Sequence, residues 1–200
     1  MTAAKRIAVD RCWGLIIDVQ EFFLSQIDTS LRSKLETNIK SFARLLGYFR
    51  VPMVVTLERP INQKGVLSRE IAKHVSGDAK IFEKDFFDLT KKKKIADYIT
   101  RLKKKQVIVA GCETDVCVLQ SCLGLLGLGY DVYVVEELIF SSARNVDAAI
   151  TGMKAAGAVF VTYKSLYYEL IEAVDGGSHG EKVFATFGPF PADLPDAAVQ

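Results

Sequence analysis

The chain has 200 residues, of which half are hydrophobic and a quarter are charged. This composition excludes an intrinsically disordered protein, because it supplies enough apolar surface for a core, and the length is typical of one domain. The formal net charge of +2 excludes the strongly basic character that would itself indicate a nucleic-acid or membrane partner.

Short apolar segments alternate with amphipathic segments along the chain, which is typical of a parallel sheet covered by helices on both faces. Strands are predicted at residues 12–17, 53–57, 80–83, 106–110, 131–135 and 159–162. The clearest helices are predicted at residues 30–49, 114–128 and 145–156, and Gly129 and Gly157 mark the ends of the last two. We expect a three-layer α/β/α domain with a mostly parallel six-stranded sheet in the order 3-2-1-4-5-6.

Two stretches depart from this alternation. Residues 59–78 form a long irregular connection, and such loops often line a site or an interface. After Ala173, a glycine pair and three prolines predict an extended tail that can pack on a neighbouring subunit. We therefore assign residues 1–200 to one domain, with its core at about 12–174 and the extended tail at 175–200.

Lysine runs at residues 91–94 and 103–105 bracket Ile95, Ile99 and Leu102, whose spacing is helical. A phosphate-binding patch is one interpretation of these runs. The solvated face of an amphipathic helix is the commoner one, so we expect no nucleic-acid partner.

The four cysteines lie in or beside apolar segments, at Cys12, Cys112, Cys117 and Cys122. None belongs to a C-x-x-C pair or to a cysteine–histidine cluster with zinc spacing. The first ten residues lack the apolar segment of a secretory signal, and the apolar stretch at 116–128 is too short to cross a bilayer. These patterns predict a cytoplasmic protein without membrane contact.

The junction at residues 106–118 places a thiol in the first turn of a helix. With Thr114 as N-cap, Cys117 is the third helical residue and lies beside backbone N–H groups that have no partner within the helix. These donors and the helix dipole favour a thiolate, the nucleophilic form of cysteine. On this stretch alone, a small buried hydrophobic residue is an equally good interpretation.

In an open doubly wound sheet, ligands bind beyond the carboxyl ends of the strands, where the strand order reverses. This placement brings Asp18, after strand 1, to Cys117, while Lys84 ends strand 3 at the same rim. A carboxylate can remove the proton of a thiol, and an ammonium group stabilises the anion. A structural ion pair, or an Asp18 that caps a helix, is the alternative. Of the phenylalanines that flank the rim, we expect Phe23 and Phe87 to contact the substrate, although core packing is the commoner role of each.

These residues resemble those of the isochorismatase-like cysteine hydrolases, a family that includes nicotinamidase and N-carbamoylsarcosine amidase. The motifs are Asp18 within Asp-x-Gln-x-x-Phe, Lys84 before a phenylalanine pair, and Gly-x-x-Thr-Asp-x-Cys-Val at 111–118. The similarity runs from about Trp13 to Val174, and it is carried by the order and spacing of the motifs.

The resemblance implies a role for each residue. It makes Cys117 the nucleophile, Asp18 the base and Lys84 the third catalytic member. It also implies a cis peptide bond between Cys112 and Glu113, with the backbone N–H groups of Glu113 and Cys117 forming the oxyanion hole. The implied activity is hydrolysis of a small-molecule amide or carbamoyl substrate through a thioester, without a cofactor, in a homo-oligomer of two or more subunits.

The stretch after strand 2 departs from the nicotinamidase pattern. Nicotinamidases carry an Asp-x-His pair and further histidines there that hold a metal, but this chain has Thr-Leu-Glu-Arg-Pro at 56–60. The two histidines, His74 and His179, are too far apart to replace that site. We therefore predict a metal-independent enzyme. Because Cys117 is present, acyl hydrolysis is favoured over the vinyl-ether hydrolysis of isochorismatase itself.

Two other functions stay open on the same fold: a non-hydrolytic oligomeric interaction protein and a redox-active thiol protein. The intact set of Asp18, Lys84 and Cys117 argues against the first, and the lack of a resolving cysteine pair argues against the second.

The predicted helix after Cys117 is apolar nearly all round, which predicts an interface near its cysteine and leucines unless one subunit buries them. These residues are Cys122, Leu123, Leu125, Leu126 and Leu128.

Overall fold

The computed structural model describes residues 6–75, 77–173 and 181–187. Its strands are β1 Cys12–Ile17, β2 Met53–Glu58, β3 Lys80–Lys84, β4 Gln106–Cys112, β5 Asp131–Phe140 and β6 Val159–Val161. They form one six-stranded sheet in the order β3-β2-β1-β4-β5-β6, and every neighbouring pair is parallel. The predicted fold class and strand order are therefore confirmed.

Helices cover both faces of this sheet. They are α1 Glu21–Leu24, α2 Thr29–Tyr48, α3 Ile61–Lys64, α4 Arg69–Ala72, α5 Lys93–Arg101, α6 Leu119–Gly127, α7 Asp147–Ala156, α8 Tyr163–Ile171 and α9 Glu181–Phe187. A 3-10 turn at Leu89–Lys91 precedes α5, and a π-helical turn at Thr114–Val118 precedes α6. No helix among the described residues is long and apolar enough to cross a membrane.

The alternating side chains of the strands face two separate apolar layers. On one face, Ile16, Val55 and Ile108 belong to the layer that includes the buried residues of α2 and α8. On the other face, Leu15 and Val109 belong to the layer that includes those of α5 and α6. The central strands are buried on both faces because each parallel crossover lays a helix on the sheet. Each fully buried aliphatic side chain stabilises the fold by about 1.5–3 kcal/mol.

The expected extended tail is wrong at residues 181–187, which form α9. Tertiary contacts explain this helix: Val183 is buried in the core layer of α2 and α8, and the ring of Phe187 packs edge to face on Tyr48 with a centroid distance of 5.4 Å. Glycines and prolines around a segment do not prevent a helix that has an apolar face to bury. The rest of the predicted tail lies outside the described residues.

The carboxyl ends of β1 and β4 approach each other closely at Gly111. This residue has φ +128°, and a Cβ atom built on it would lie 2.1 Å from the carbonyl oxygen of Ile17. Only glycine fits there, because it combines a left-handed backbone with the absence of a side chain. Just beyond, the Cys112 thiol donates a hydrogen bond to the carbonyl oxygen of Asp18 at 3.0 Å. This close approach and this hydrogen bond hold the ends of β1 and β4 together at the carboxyl edge of the sheet.

Candidate active site

Four chemically reactive side chains meet at the carboxyl edge of the sheet. Asp18 follows β1, Glu58 ends β2, Lys84 ends β3, and Cys117 lies in the π-helical turn after β4. All four side chains are buried, and Asp18 has the positive φ of 52°. The structure thus brings together the three residues predicted from the sequence and adds Glu58 to them.

Asp18 and Lys84 form a buried ion pair. Lys84 Nζ lies 2.6 Å from Asp18 Oδ2, and the Thr56 hydroxyl donates to Asp18 Oδ1 at 2.8 Å. Burial raises the pKa of Asp18, and the Lys84 charge offsets this only in part. Burial would lower the pKa of Lys84, but its interactions with Asp18, Cys117 and Glu58 outweigh this effect, so the pKa is raised. Lys84 therefore stays an ammonium ion.

The Cys117 thiol contacts both a carboxylate and an ammonium group. It donates a hydrogen bond to Glu58 Oε2 at 2.9 Å, and Lys84 Nζ lies 3.3 Å from its Sγ atom. Burial raises the pKa of Cys117, the charge of Asp18 raises it further, and Lys84 compensates only partly. The sequence-based prediction of a thiolate favoured by the helix terminus is therefore wrong for the resting site. The thiol is protonated and needs a base before it can attack.

The local structure around Cys117 also differs from the prediction. Thr114 is the first residue of the π-helical turn and not its N-cap, and Glu113 occupies the preceding position. The carbonyl oxygen of Glu113 accepts bonds from the N–H groups of Val116 and Val118, at 3.1 and 3.0 Å. The peptide bond between Cys112 and Glu113 is cis, which is the geometry that the resemblance implied. Cys117 still lies in the first turn after β4.

Glu58 is the residue that the sequence reasoning missed. The Gln20 side chain accepts a bond from the N–H group of Glu58 at 2.7 Å and donates to its carbonyl oxygen at 3.1 Å, so it holds the end of β2. Lys64, in α3, forms an ion pair with Glu58 Oε1. Burial would raise the pKa of Glu58, but hydrogen bonds from Cys117 and Lys64 and the nearby charges outweigh it, so the pKa is lowered.

A signal for Glu58 was present in the sequence. Asp18 and Lys84 are candidates because they lie at the ends of strands 1 and 3. Strand 2 lies between these two in the predicted order, so its own end belongs to the same rim. Glu58 also stands in the stretch where nicotinamidases carry metal ligands, and there the missing histidines are the more visible feature.

The two predicted substrate contacts have different surroundings. Phe23 is 7% exposed, and its ring centroid lies 5.4 Å from Lys64 Nζ, beside the charged cluster. Phe87 is 56% exposed.

An open cleft of about 600 Å³ is lined by residues 25–29, 31 and 141–144. Its wall is tied to the π-helical turn, because the Ser141 hydroxyl donates to Asp115 Oδ1 at 2.6 Å.

Asp18, Glu58 and Cys117 form the one group in the described part of the chain whose donor atoms are close enough to suit a metal cation, within 4.8 Å of one another. Lys84 Nζ lies 2.6, 3.3 and 3.4 Å from Asp18, Cys117 and Glu58, respectively. The ammonium group thus already supplies a positive charge to all three. We therefore interpret the cluster as an ion-pair network. His74 follows α4, and His179 lies outside the described residues.

The chain is similar to known proteins over most of its length. The isochorismatase domain family matches residues 12–165. The secreted isochorismatase effector Isc1 of Phytophthora sojae is 34% identical over 170 residues, which are 82% of this chain and 77% of that protein.

Two solved structures of YcaC share the fold. The protein from Pseudomonas aeruginosa, solved with hexane-2,5-diol and covalent acrylamide, has a TM-score of 0.84 and 25% identity, with 96% of each chain covered. The Escherichia coli protein, described as an octameric hydrolase of unknown specificity, has a TM-score of 0.83 and 24% identity, with 94% of each chain covered. With the family match over most of the chain, these findings identify the chain as a member of the isochorismatase family and as a hydrolase.

Proposed function

We propose that this hydrolase is a metal-independent cysteine enzyme that cleaves a small amide or carbamoyl substrate through a thioester acyl-enzyme. The observation that carries the proposal is the position of Cys117 Sγ, 2.9 Å from a carboxylate oxygen and 3.3 Å from an ammonium nitrogen within a buried site. A carboxylate at that distance can take the thiol proton, and the ammonium group stabilises the sulfur anion.

The proposed reaction has two half-reactions. In the first, Cys117 Sγ attacks the carbonyl carbon, and the backbone N–H groups of Glu113 and Cys117 stabilise the oxyanion. The C–N bond then breaks, the amine leaves with a proton, and a thioester remains. In the second, Asp18 takes a proton from a water molecule whose oxygen attacks the thioester. The C–S bond breaks, the acid is released, and Asp18 returns its proton to the sulfur.

A panel of small amides and carbamoyl compounds tests this activity, with release of ammonia or amine as the readout. We expect turnover of at least one member and, when the reaction is quenched early, a mass increase on the Cys117 peptide equal to the acyl group. Turnover that persists after Cys117 has been blocked by alkylation would contradict the proposal.

Metal independence is a separate prediction, motivated by the Lys84 ammonium group among Asp18, Glu58 and Cys117. We expect full activity after prolonged treatment with a chelator followed by gel filtration into metal-free buffer. Activity should be unchanged when zinc, iron or manganese is added back. Stoichiometric metal in the purified protein, with activity lost on its removal, would contradict the prediction.

We also propose that the chain assembles as a homo-oligomer, with the exposed side of α6 at the interface. Two of the five residues predicted there, Cys122 and Leu125, are fully buried within one chain, whereas Leu123 and Leu128 are 40% and 50% exposed. Light scattering should give a multiple of 22.1 kDa. Leu123→Glu should lower the mass, while Ile81→Glu, a control on the edge strand β3 that is 55% exposed, should not. A monomer at micromolar concentration would contradict the assembly.

The proposed location is a reducing compartment, the cytoplasm. All four cysteines are free and buried. The proposed chemistry uses Cys117 as a thiol, and a reducing environment keeps it in that form. Fractionation of the cells that make the protein tests this location.

A further inference from the structure

The Cys117 thiol faces two acids, Glu58 and Asp18, and hydrogen bonding to the thiol lowers the pKa of each. Glu58 Oε2 accepts the bond from Cys117 Sγ at 2.9 Å, whereas Asp18 Oδ2 is paired with Lys84 at 2.6 Å. We infer that Glu58 is a further catalytic residue, which takes the proton of the Cys117 thiol as the sulfur attacks and passes it to the leaving nitrogen. Asp18 then serves the water step and holds Lys84.

The Glu58 carboxylate is fixed in position by contacts on three sides. Its backbone N–H and carbonyl groups are both bonded to the Gln20 side chain, which also donates to the carbonyl oxygen of Gly65 at 2.8 Å. Oε1 is paired with Lys64, while Oε2 faces Cys117. One carboxylate oxygen is thus anchored by Lys64, while the other accepts from the thiol at 2.9 Å and lies 3.4 Å from Lys84 Nζ. This division of contacts suits a base, because the accepting oxygen must keep its position through proton transfer.

The charges around the two acids favour Glu58 as the acceptor. Glu58 faces the ammonium groups of Lys64 and Lys84, the thiol of Cys117 and, across the β1 end, the carboxylate of Asp18. Hydrogen bonds and positive charges lower the pKa of Glu58 despite its burial, so the group is ionised at neutral pH. Asp18 is the more deeply buried acid, and burial raises its pKa. The 2.9 Å hydrogen bond of the thiol therefore goes to the acid that is more readily kept as a carboxylate.

In the first half-reaction, Glu58 accepts one proton and releases the same proton. The proton moves from Sγ to Oε2 as the bond between sulfur and carbonyl carbon forms. It moves from Oε2 to the amide nitrogen as the C–N bond breaks, so the amine leaves neutral. Glu58 is a carboxylate again before water attacks the thioester. This inference rests on the proposed cysteine chemistry, but its central step is testable without any substrate.

Alkylation of Cys117 by iodoacetamide, followed by peptide mass spectrometry, measures this step directly. In the wild-type protein, the rate should fall at acidic pH as Glu58 is protonated and be flat around neutral pH. In Glu58→Gln, the acidic decrease should disappear, and the rate at neutral pH should drop by a factor on the order of a hundred and then rise with hydroxide. If the carboxylate acted only as a nearby charge, its removal would instead favour the thiolate and speed alkylation.

A second variant keeps the test independent of the stability of Glu58→Gln. Lys64→Met removes a cation that lowers the pKa of Glu58, so the acidic decrease in alkylation rate should move to higher pH. The matched control is Lys73→Met, which removes an exposed lysine paired with Glu70 in the same connection and should leave the profile unchanged.

Asp18→Asn separates the two possible acceptors. It should retain the acidic decrease in alkylation rate and lose turnover. If Asp18→Asn loses this decrease and Glu58→Gln retains it, Asp18 is the acceptor and the inference is overturned. A Lys64→Met profile identical to that of the wild type would also overturn it. A Glu58-dependent profile in a protein that cleaves no amide would sustain the inference and refute the proposed function alone.

Discussion

Replacing Cys117 with alanine is expected to abolish amide turnover while the fold is retained. No other nucleophile lies against the Glu58 and Lys84 contacts among the described residues, and residual catalysis by the rest of the site cannot pass through a thioester. The cost to folding is small, because alanine removes one sulfur atom and Glu58 keeps its ion pairs with Lys64 and Lys84. Steady-state turnover and circular dichroism of the variant measure the two effects.

The control for this variant is Cys122→Ala, which removes an equally buried thiol from α6. It should retain turnover, even if it lowers the melting temperature by opening a small cavity. In the wild type, a slow substrate should leave its acyl group on the Cys117 peptide. An acyl group on Cys112 or Cys122 would contradict the assignment of the nucleophile.

The second large effect is expected from Lys84→Met, on stability as well as on activity. Methionine keeps the volume of the aliphatic chain but leaves Asp18 buried without its partner at 2.6 Å. Breaking a buried ion pair by removing one member costs about 3–5 kcal/mol. Urea denaturation at fixed protein concentration measures the loss in the free energy of unfolding, which should accompany loss of turnover.

The pH dependence of this loss identifies its cause. Without Lys84, the pKa of Asp18 rises further above its unfolded value, so the ionised form destabilises the fold at neutral pH. The deficit should therefore shrink as the pH falls and Asp18 takes up a proton. Lys84→Met combined with Asp18→Asn should recover much of the stability at neutral pH, without activity. A deficit that is the same at all pH values and in the double variant would indicate a packing defect.

The sheet could be predicted from the sequence because its signals are local and repeated. All six strands begin at the predicted residues, since each starts with a short apolar run after a break in the pattern. The strand ends were less predictable: β4 runs on to Cys112 and β5 to Phe140. Pairing with a neighbouring strand decides where a strand ends, and Gly111 and Cys112 pair with Ile139 and Phe140 after a shift in register. That shift depends on contacts that no single segment encodes.

The pKa of Cys117 was harder to predict from the sequence than the identity of the site residues. A cysteine in the first turn of a helix suggests a lowered pKa. In the folded chain, Cys117 is only 2% exposed and lies among Asp18 and Glu58, so burial and negative charge decide the result. The charges of Asp18, Glu58 and Lys84 lie at the ends of three different strands. Their distances from Cys117, and the burial of its thiol, are defined only once the sheet has assembled.

The buried cluster is electrically balanced. Two carboxylates, Asp18 and Glu58, face two ammonium groups, Lys64 and Lys84, and the resting thiol adds no charge. A cluster with no net charge exerts little long-range attraction on an approaching ion. An anionic substrate should therefore gain no general advantage over a neutral one, and its KM should change little with ionic strength. Discrimination among substrates would then depend on shape and on hydrogen bonding along the walls of the pocket.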